Sequence, residues 1–260
     1  MTDPLQGKVI IVTGGTQGVG EGIARLAAER GAAGVVICGR NAERGAAVAA
    51  DLTTAGSEGV FVQADLADVD ACRAVVRAAD ERFGYVSGLV NAAGITDRGT
   101  IEDTSVDLWD RMFDINARAP FFLIQEAVKV MKREGNGGSI VNILSMSAHG
   151  GQPFISAYSA SKGALATLTK NVAHALRQDR IRCNGLNIGW TLTPNEQKVQ
   201  EAMGKPEDWV AEADAGMPFG RLLRPRDIAG MCAYLLSDEA KMMTGALIDF
   251  DQYVIGNYDN

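Results

Sequence analysis

Tyr158 and Lys162 are the two residues whose types and spacing most directly suggest chemistry. Residues four apart share one face of an α-helix, so the phenol and the ammonium can reach the same site if this stretch is helical. A free tyrosine has a pKa of about 10 and is a poor base near neutral pH. A neighbouring Lys⁺ favours the phenolate and lowers that pKa, so the pair predicts a group that exchanges a proton with a substrate.

Ser145 lies thirteen residues before Tyr158, directly after the apolar stretch Ile140–Leu144. In open parallel sheets, active-site groups gather at the carboxyl ends of the strands. A hydroxyl at such an end can donate a hydrogen bond to a substrate oxygen while the charge on that oxygen changes. Ser147, slightly farther past the strand, is a second candidate for this role.

A glycine-rich turn, Thr13–Gly20, follows the first apolar run and precedes a helical pattern. Glycine lets the backbone approach a pyrophosphate closely, and the N-terminus of the following helix offers N–H groups and a positive dipole end. The spacing differs from G-x-G-x-x-G because position 23 is Ile. The turn nevertheless predicts a dinucleotide site, and its residues are Gly14, Thr16, Gln17, Gly18, Val19 and Gly20.

Short β-branched runs alternate with helical patterns along the chain. The predicted strands are Lys8–Val12, Gly34–Cys38, Val60–Ala64, Gly88–Asn91, Ser139–Leu144, Ile181–Asn187 and Ala246–Phe250. The predicted helices occupy residues 18–30, 41–56, 68–83, 105–133, 157–178 and 225–237. Continuously apolar strands suit a sheet that is covered on both faces. The pattern predicts an α/β fold, a Rossmann-type doubly wound parallel sheet of seven strands flanked by helices, as a single domain over residues 1–260.

Together these motifs resemble those of the short-chain dehydrogenase/reductase family over essentially the whole chain. The matching pieces are Thr13–Gly20, Asn91–Gly94, Asn116, Ser145, and Tyr158 with Lys162. The resemblance implies hydride transfer between NAD(P) and a secondary alcohol, or a sugar or polyol hydroxyl. It also implies a catalytic set of Asn116, Ser145, Tyr158 and Lys162, in which Asn116 holds a water that links Lys162 to solvent.

The resemblance further implies how the cofactor is held. Asp65 and Leu66 would lie beside the adenine, and Gly189 would place backbone beside the nicotinamide, although Ile188 replaces the proline usual in the family. Thr191 and Thr193 both remain candidates for binding the carboxamide. The residues that would support the cleft at the end of the fourth strand are Asn91, Ala92, Ala93 and Gly94.

The end of the second strand bears on the choice of dinucleotide. Enzymes that prefer NAD usually carry a carboxylate there, whereas this chain has Gly39, Arg40 and Asn41. A guanidinium can pair with the 2′-phosphate of NADP, and no carboxylate remains to repel it. Gln17 argues against NADP, because many NADP enzymes carry a basic residue at that position. We expect NADP to be favoured, with NAD or dual use as the alternative.

The sequence motifs say less about the identity of the small-molecule substrate than about the type of reaction. Its expected contacts are Ser147, His149, Gln152 and Trp190, a polar set with one aromatic face that suits a sugar or polyol. The polar segment 191–217, which contains two prolines, is expected to be a substrate lid or a surface excursion.

Two other functions stay open at this stage. The first is a 3-oxoacyl-(acyl carrier protein) reductase, which would need a cationic patch such as Arg221, Arg224 and Arg226 for its acidic partner. The second is a non-catalytic dinucleotide-sensing protein. Family members are commonly tetramers, so a homotetramer is also expected, with Ala117–Val130 as one candidate interface.

The composition argues against several classes of binding partner and cofactor. The net charge of −7, with no block of basic residues, argues against a nucleic-acid partner. No apolar run is long enough to span a bilayer, and the first residues lack a signal peptide pattern, so we expect a cytoplasmic protein without a membrane partner. Two histidines and four scattered cysteines make a metal site improbable, and we expect none.

Overall fold

The computed structural model describes residues 3–256. Within that range seven parallel strands form one sheet in the order β3-β2-β1-β4-β5-β6-β7, which confirms the predicted doubly wound fold. Each strand begins and ends within two residues of its predicted bounds. The strands are β1 Val9–Thr13, β2 Gly34–Gly39, β3 Glu58–Gln63, β4 Gly88–Asn91, β5 Gly138–Ser145, β6 Ile181–Ile188 and β7 Leu247–Phe250.

The helices cover both faces of this sheet. Their bounds are α1 Gly18–Glu29, α2 Ala42–Thr54, α3 Val69–Phe83, α4 Val106–Phe113, α5 Ala119–Glu134, α6 Ser156–Leu176, α7 Pro194–Ala202, α8 Trp209–Ala215 and α9 Pro225–Leu236. The helix predicted over 105–133 is divided by a π-helical turn, Asp114–Arg118, between α4 and α5. Among residues 3–256, none of the helices has the length and apolar character that crossing a membrane requires.

Alternate residues of the central strands pack into two separate hydrophobic layers. Ile10 and Val12 join a layer with α1 and α9, whereas Ile11 joins a layer with α3 and α5. All three side chains are fully buried, which explains why β1 is continuously apolar. Each buried aliphatic side chain stabilises the fold by about 1.5–3 kcal/mol, so the two layers fix the sheet on which the site is built.

The chain order reverses between β1 and β4, and this reversal opens a crevice at their carboxyl ends. Thr13, the last residue of β1, closes the base of the crevice. Its Oγ1 accepts hydrogen bonds of 3.0 Å from the backbone N–H groups of Ala92 and Ala93. One side chain therefore ties the glycine-rich turn to the end of β4.

The segment 191–217 is folded, although the sequence predicted no helix in it. Trp209, Met217 and Leu222 form a small hydrophobic cluster of their own. The start of the segment lies beside the chain that follows it, because Leu192 N donates to Leu223 O at 2.9 Å. The start of α7 had a readable signal, since Thr193 caps it by accepting from Glu196 N at 3.1 Å and Pro194 occupies the first turn.

Candidate active site

A cleft of about 1070 Å³ runs across the carboxyl ends of the strands. Most of the residues predicted from the sequence line it, from the glycine-rich turn at one end to Trp190 at the other. They are Gly14, Thr16, Gln17, Gly18, Val19, Gly20, Gly39, Arg40, Asp65, Leu66, Ala92, Ala93, Gly94, Ser145, Ser147, Gln152, Tyr158, Lys162, Gly189, Trp190, Thr191 and Thr193.

The glycine-rich turn is packed so closely that side chains are excluded at its key positions. A Cβ on Gly20 would lie 2.4 Å from the carbonyl oxygen of Gly14, and a Cβ on Gly14 would lie 2.9 Å from the Cα of Ala93. Gly14 and Gly18 also have φ values of 65° and 58°, which L side chains rarely adopt. α1 begins directly after this turn, and the side chain of its N-cap residue, Gln17, does not cap it. The first backbone N–H groups of α1 are therefore left available at the cleft.

Tyr158 and Lys162 lie in the first two turns of α6, beside the end of β5. The Lys162 ammonium is 5.8 Å from the centre of the Tyr158 ring and donates a 2.8 Å hydrogen bond to Ile143 O of β5. Ser145, the last residue of β5, accepts a hydrogen bond from Ser147 N at 3.1 Å. The strand end and the helix thus bring a hydroxyl, a phenol and an ammonium to one wall of the cleft.

Burial acts on both titrating groups of this wall. It lowers the pKa of Lys162 to about 8. It raises the pKa of Tyr158 above its ordinary value, while a hydrogen bond with Ser145 lowers that pKa and the negative charge of Glu196 raises it further. The lowered Tyr158 pKa predicted from the sequence therefore requires positive charge that outweighs desolvation of the phenolate, which is the largest effect on this group.

Asn116 is fully buried in the π-helical turn, behind the cleft wall. Its Oδ1 accepts from Ile95 N and its Nδ2 donates to Ile95 O, both at 3.0 Å, and Nδ2 also donates to Ser161 Oγ at 3.1 Å. A Cβ on Gly94 would lie 3.3 Å from Asn116 Oδ1 and 3.5 Å from Lys162 Nζ. Asn116 thus fixes the loop that follows β4 close to the ammonium.

Besides Asn116, three predicted site residues lie outside the cleft lining. Asn41 caps α2 by accepting from Arg44 N at 2.8 Å. Asn91 is buried and donates to Asn142 Oδ1 at 2.8 Å, so it joins β4 to β5. His149, expected to contact substrate, instead contacts Asp249 Oδ1 of β7 at 2.8 Å. The cap of α2 by Asn41 is a local contact, whereas the partners of Asn91 and His149 are distant in the chain and spacing cannot reveal them.

The two candidate threonines differ in their partners. Thr191 Oγ1 donates to Gly189 O at 2.9 Å, and Thr193 Oγ1 caps α7. Gly189 packs against Asp251, whose Oδ1 would lie 2.0 Å from a Cβ at that position. A residue larger than glycine at position 189 would therefore displace Asp251 from the cleft wall.

Several further cleft residues come either from the segment that was expected to wall the substrate pocket or, after β7, from a stretch that was not assigned to the site. Glu196, Gln200 and Trp209 enter it from α7 and α8, and Asp251 and Tyr253 enter it after β7. The capping pattern at Thr193 would have placed Glu196 in a first helical turn, but only the packing of α7 over the sheet brings it to the cleft.

Known proteins resemble this chain along nearly all of its length. Residues 14–252 match the family model described as enoyl-(acyl carrier protein) reductase. The NADP-dependent (R)-specific alcohol dehydrogenase of Lentilactobacillus kefiri is 38% identical over 95% of this chain and 96% of its own length. The L-rhamnose 1-dehydrogenase (NAD(P)(+)) of a Sphingomonas species is 34% identical over 96% of this chain and 98% of its own. A short-chain type dehydrogenase/reductase from Mycobacterium marinum superposes with a TM-score of 0.86 at 29% identity, covering 96% of both chains.

The chain belongs to the short-chain dehydrogenase/reductase family. It is an NAD(P)-dependent oxidoreductase acting on CH–OH groups, as its relatives are named dehydrogenases. The alternative of a non-catalytic dinucleotide sensor is accordingly set aside.

The residues of this short-chain dehydrogenase/reductase fit the dinucleotide. The backbone cradle of Gly14, Gly18 and Gly20 and the uncapped start of α1 suit a pyrophosphate. Asp65 and Leu66 line the end of the cleft near β3, and Gly189 lines the end near Tyr158. The cleft would thus hold the pyrophosphate at its centre and one end of the dinucleotide against each wall.

Proposed function

We propose that this chain interconverts a secondary alcohol, or a sugar or polyol hydroxyl, with the corresponding carbonyl, and that Tyr158 is the acid and base. The single observation that carries the proposal is the meeting of Ser145, Tyr158 and Lys162 on one wall of a cleft that fits NAD(P). The substrate oxygen would lie between the Ser145 hydroxyl and the Tyr158 phenol.

In the oxidation direction, each residue has a distinct task. The bound nicotinamide supplies the hydride acceptor, and in the reverse direction the hydride. Ser145 orients the substrate hydroxyl and donates to its oxygen as the carbonyl forms. Tyr158 takes the hydroxyl proton, and the Lys162 ammonium stabilises the phenolate that accepts it. Asn116, by holding the loop after β4 near Lys162, would support the water through which the proton reaches solvent.

The test is a screen of aldoses, polyols, simple secondary alcohols and β-ketoacyl thioesters with NADP and NAD. In Tyr158→Phe we expect the turnover found in the screen to fall by about 10²–10⁴-fold, because the proton acceptor is lost while the ring remains. Tyr234→Phe is the matched control, since Tyr234 is a partly exposed residue of α9 outside the cleft lining. Full activity in Tyr158→Phe would overturn the mechanism.

We further propose that NADP is the favoured dinucleotide. Gly39 lies against Thr16, and a Cβ there would lie 2.8 Å from Thr16 Oγ1, so the packing leaves no room for the carboxylate typical of NAD enzymes. Arg40 lines the cleft, and Arg44 donates to Gln17 of the glycine-rich turn. A 2′-phosphate in this corner would face two guanidinium groups.

Arg40→Ala tests this preference. Its KM for NADP should rise roughly 10-fold or more, while its KM for NAD stays nearly constant, because only NADP carries the phosphate. Arg73→Ala is the control, since Arg73 lies on α3 and pairs with Asp70. A hundredfold preference of the unaltered protein for NAD would contradict the NADP proposal.

The acyl-carrier alternative lacks support from the arginine cluster. Arg221 pairs with Asp227 at 2.6 Å and Arg224 with Asp214 at 2.7 Å. Arg226 pairs with Glu29 at 2.6 Å. Carboxylates of the chain itself thus neutralise the cations that an acidic carrier would need, which favours a small alcohol as the substrate.

We propose that residues 191–217 form the substrate lid of a single dinucleotide-binding and catalytic domain. The support is that α7 and α8 contribute side chains to the cleft, and that Trp209 of α8 and Met217 pack with Leu222 in a cluster separate from the two main layers. A body with its own core can move as a unit about its two adjacent ends.

We propose a homotetramer as the assembly. Trp109, Val106 and Phe121 are exposed on the face of α4 and α5, and an exposed apolar face of this kind is typical of an interface between copies. Phe122, which lies in the same predicted interface segment, Ala117–Val130, packs inward against the layer around α3 and α5. Phe121→Glu should therefore lower the mass measured by light scattering, whereas an unchanged mass would count against this face.

A further inference from the structure

Glu196 holds an unusual position among the cleft residues. One carboxylate oxygen, Oε1, accepts from Trp190 Nε1 at 2.8 Å and from Gln200 Nε2 at 2.6 Å. Within residues 3–256 the other oxygen, Oε2, makes no hydrogen bond to the chain, and Glu196 has no cationic partner. A half-buried carboxylate with one unused oxygen is therefore held at the cleft by an indole N–H and an amide N–H.

Trp190 is fixed by the same contact. Its indole N–H is used by Glu196, and its ring stacks on Trp209 with centroids 6.1 Å apart and planes 22° apart. The side chain is still 43% exposed and lines the cleft. Trp190 thus offers the cleft an apolar ring surface whose polar atom is already satisfied.

The pair lies close to the proposed reacting atoms. The charge of Glu196 acts on Tyr158, whose pKa it raises. Trp190 directly follows Gly189, the backbone position beside the expected nicotinamide. A substrate whose hydroxyl reaches Tyr158 would therefore extend toward Trp190 and Glu196.

We propose that Trp190 and Glu196 form a subsite for a ring-shaped substrate that carries a second hydroxyl next to the one being oxidised. The C–H face of the ring packs on the indole, and the neighbouring hydroxyl donates to Glu196 Oε2. The carboxylate also disfavours substrates that carry a negative charge at that position. This inference rests on the proposed function and narrows its substrate class.

The test compares two ligands that differ in one hydroxyl, cyclohexanol and 1,2-cyclohexanediol. Both are titrated in the presence of NADP into Tyr158→Phe, so that binding is measured without turnover. The diol should bind about 10-fold or more tightly than the mono-alcohol, and this ratio should vanish in Tyr158→Phe/Glu196→Gln. Glu201→Gln in the same background is the matched control, because Glu201 is an exposed residue of α7 outside the cleft lining.

The packing role of Trp190 is tested with alcohols of different shape. In Trp190→Leu the preference for cyclohexanol over the open-chain 2-hexanol should fall several-fold, whereas Trp190→Phe should keep most of it because an aromatic face remains. Equal binding of diol and mono-alcohol, or a ratio unchanged by Glu196→Gln, would overturn the subsite. Absence of turnover with every alcohol of the screen, despite selective diol binding, would instead count against the proposed function.

Discussion

The two ends of the cleft are built in different ways. At the dinucleotide end, the contacts that matter involve backbone atoms: Gly20 lies close to Gly14 O, and the amides of Ala92 and Ala93 donate to Thr13 Oγ1. At the substrate end, the contacts are between side chains, chiefly Trp190 with Trp209 and Glu196 with Gln200. A backbone cradle admits few residue types, whereas a wall of side chains can be changed without rebuilding the fold.

The two ends also differ in how they connect to the core. The dinucleotide end continues from β1, whose residues are all buried within the main layers. The lid rests on its own cluster of Trp209, Met217 and Leu222. We therefore expect the lid to open at a lower free energy than the rest of the molecule.

The largest effect is expected from Gly20→Ala, which disrupts the backbone cradle of Gly14, Gly18 and Gly20. The new Cβ would lie 2.4 Å from Gly14 O, so the turn must shift. NADPH binding, followed by the fluorescence of the reduced nicotinamide, should weaken about 100-fold, and the free energy of unfolding should fall by about 1–3 kcal/mol. Gly230→Ala is the control, because a Cβ on that exposed α9 residue meets no atom within 4 Å. Normal NADPH binding in Gly20→Ala would remove the contrast between the two ends.

The buried charge of Lys162 lowers the stability of the main body, and burial lowers the pKa of this lysine to about 8. Below pH 8 the folded protein holds a desolvated ammonium, so Lys162→Met should be more stable than the original protein by about 1–3 kcal/mol at pH 7. The unfolded chain keeps this proton up to a pKa of 10.5. The stability of the original protein should therefore rise between pH 8 and 10.5, and the gain from Lys162→Met should shrink there.

Thermal unfolding of Lys162→Met and of Lys170→Met at several pH values measures this effect. Lys170 is the matched control, because it is an exposed lysine on the same helix. A stability gain of equal size in both variants, or one independent of pH, would show that the buried charge is not its source.

Trp209→Ala should destabilise the lid, residues 191–217, without destabilising the two main hydrophobic layers. The lid cluster would lose its largest member, so proteolytic cleavage within 191–217 should become much faster. Because the main layers are untouched, the global free energy of unfolding should change by less than about 1 kcal/mol. Leu123→Ala, in the main layer, should instead lower it by about 2–5 kcal/mol. Equal losses in the two variants would mean that lid and body unfold together.

The smallest effect is expected from Glu196→Gln on the pH profile of oxidation. The charged groups nearest the Tyr158 phenol are Lys162 and Glu196, and Ser145 is its hydrogen-bond partner. Removing the negative charge of Glu196 lowers the Tyr158 pKa, so the phenolate forms at lower pH. The profile should move toward acid by less than about one pH unit, and Glu201→Gln should leave it in place. A move toward alkaline pH would contradict this assignment.

The sequence by itself determined the sheet, the glycine-rich turn and the positions of Ser145, Tyr158 and Lys162. These features depend on local rules: buried parallel strands are continuously apolar, the cradle requires glycine, and four residues make about one helical turn. Tertiary structure alone decided the partners of His149 and Asn91, the burial that raises the Tyr158 pKa and the contacts of Glu196 with Trp190 and Gln200. Those outcomes depend on burial and on contacts between residues far apart in the chain, such as His149 with Asp249, which no spacing along the sequence encodes.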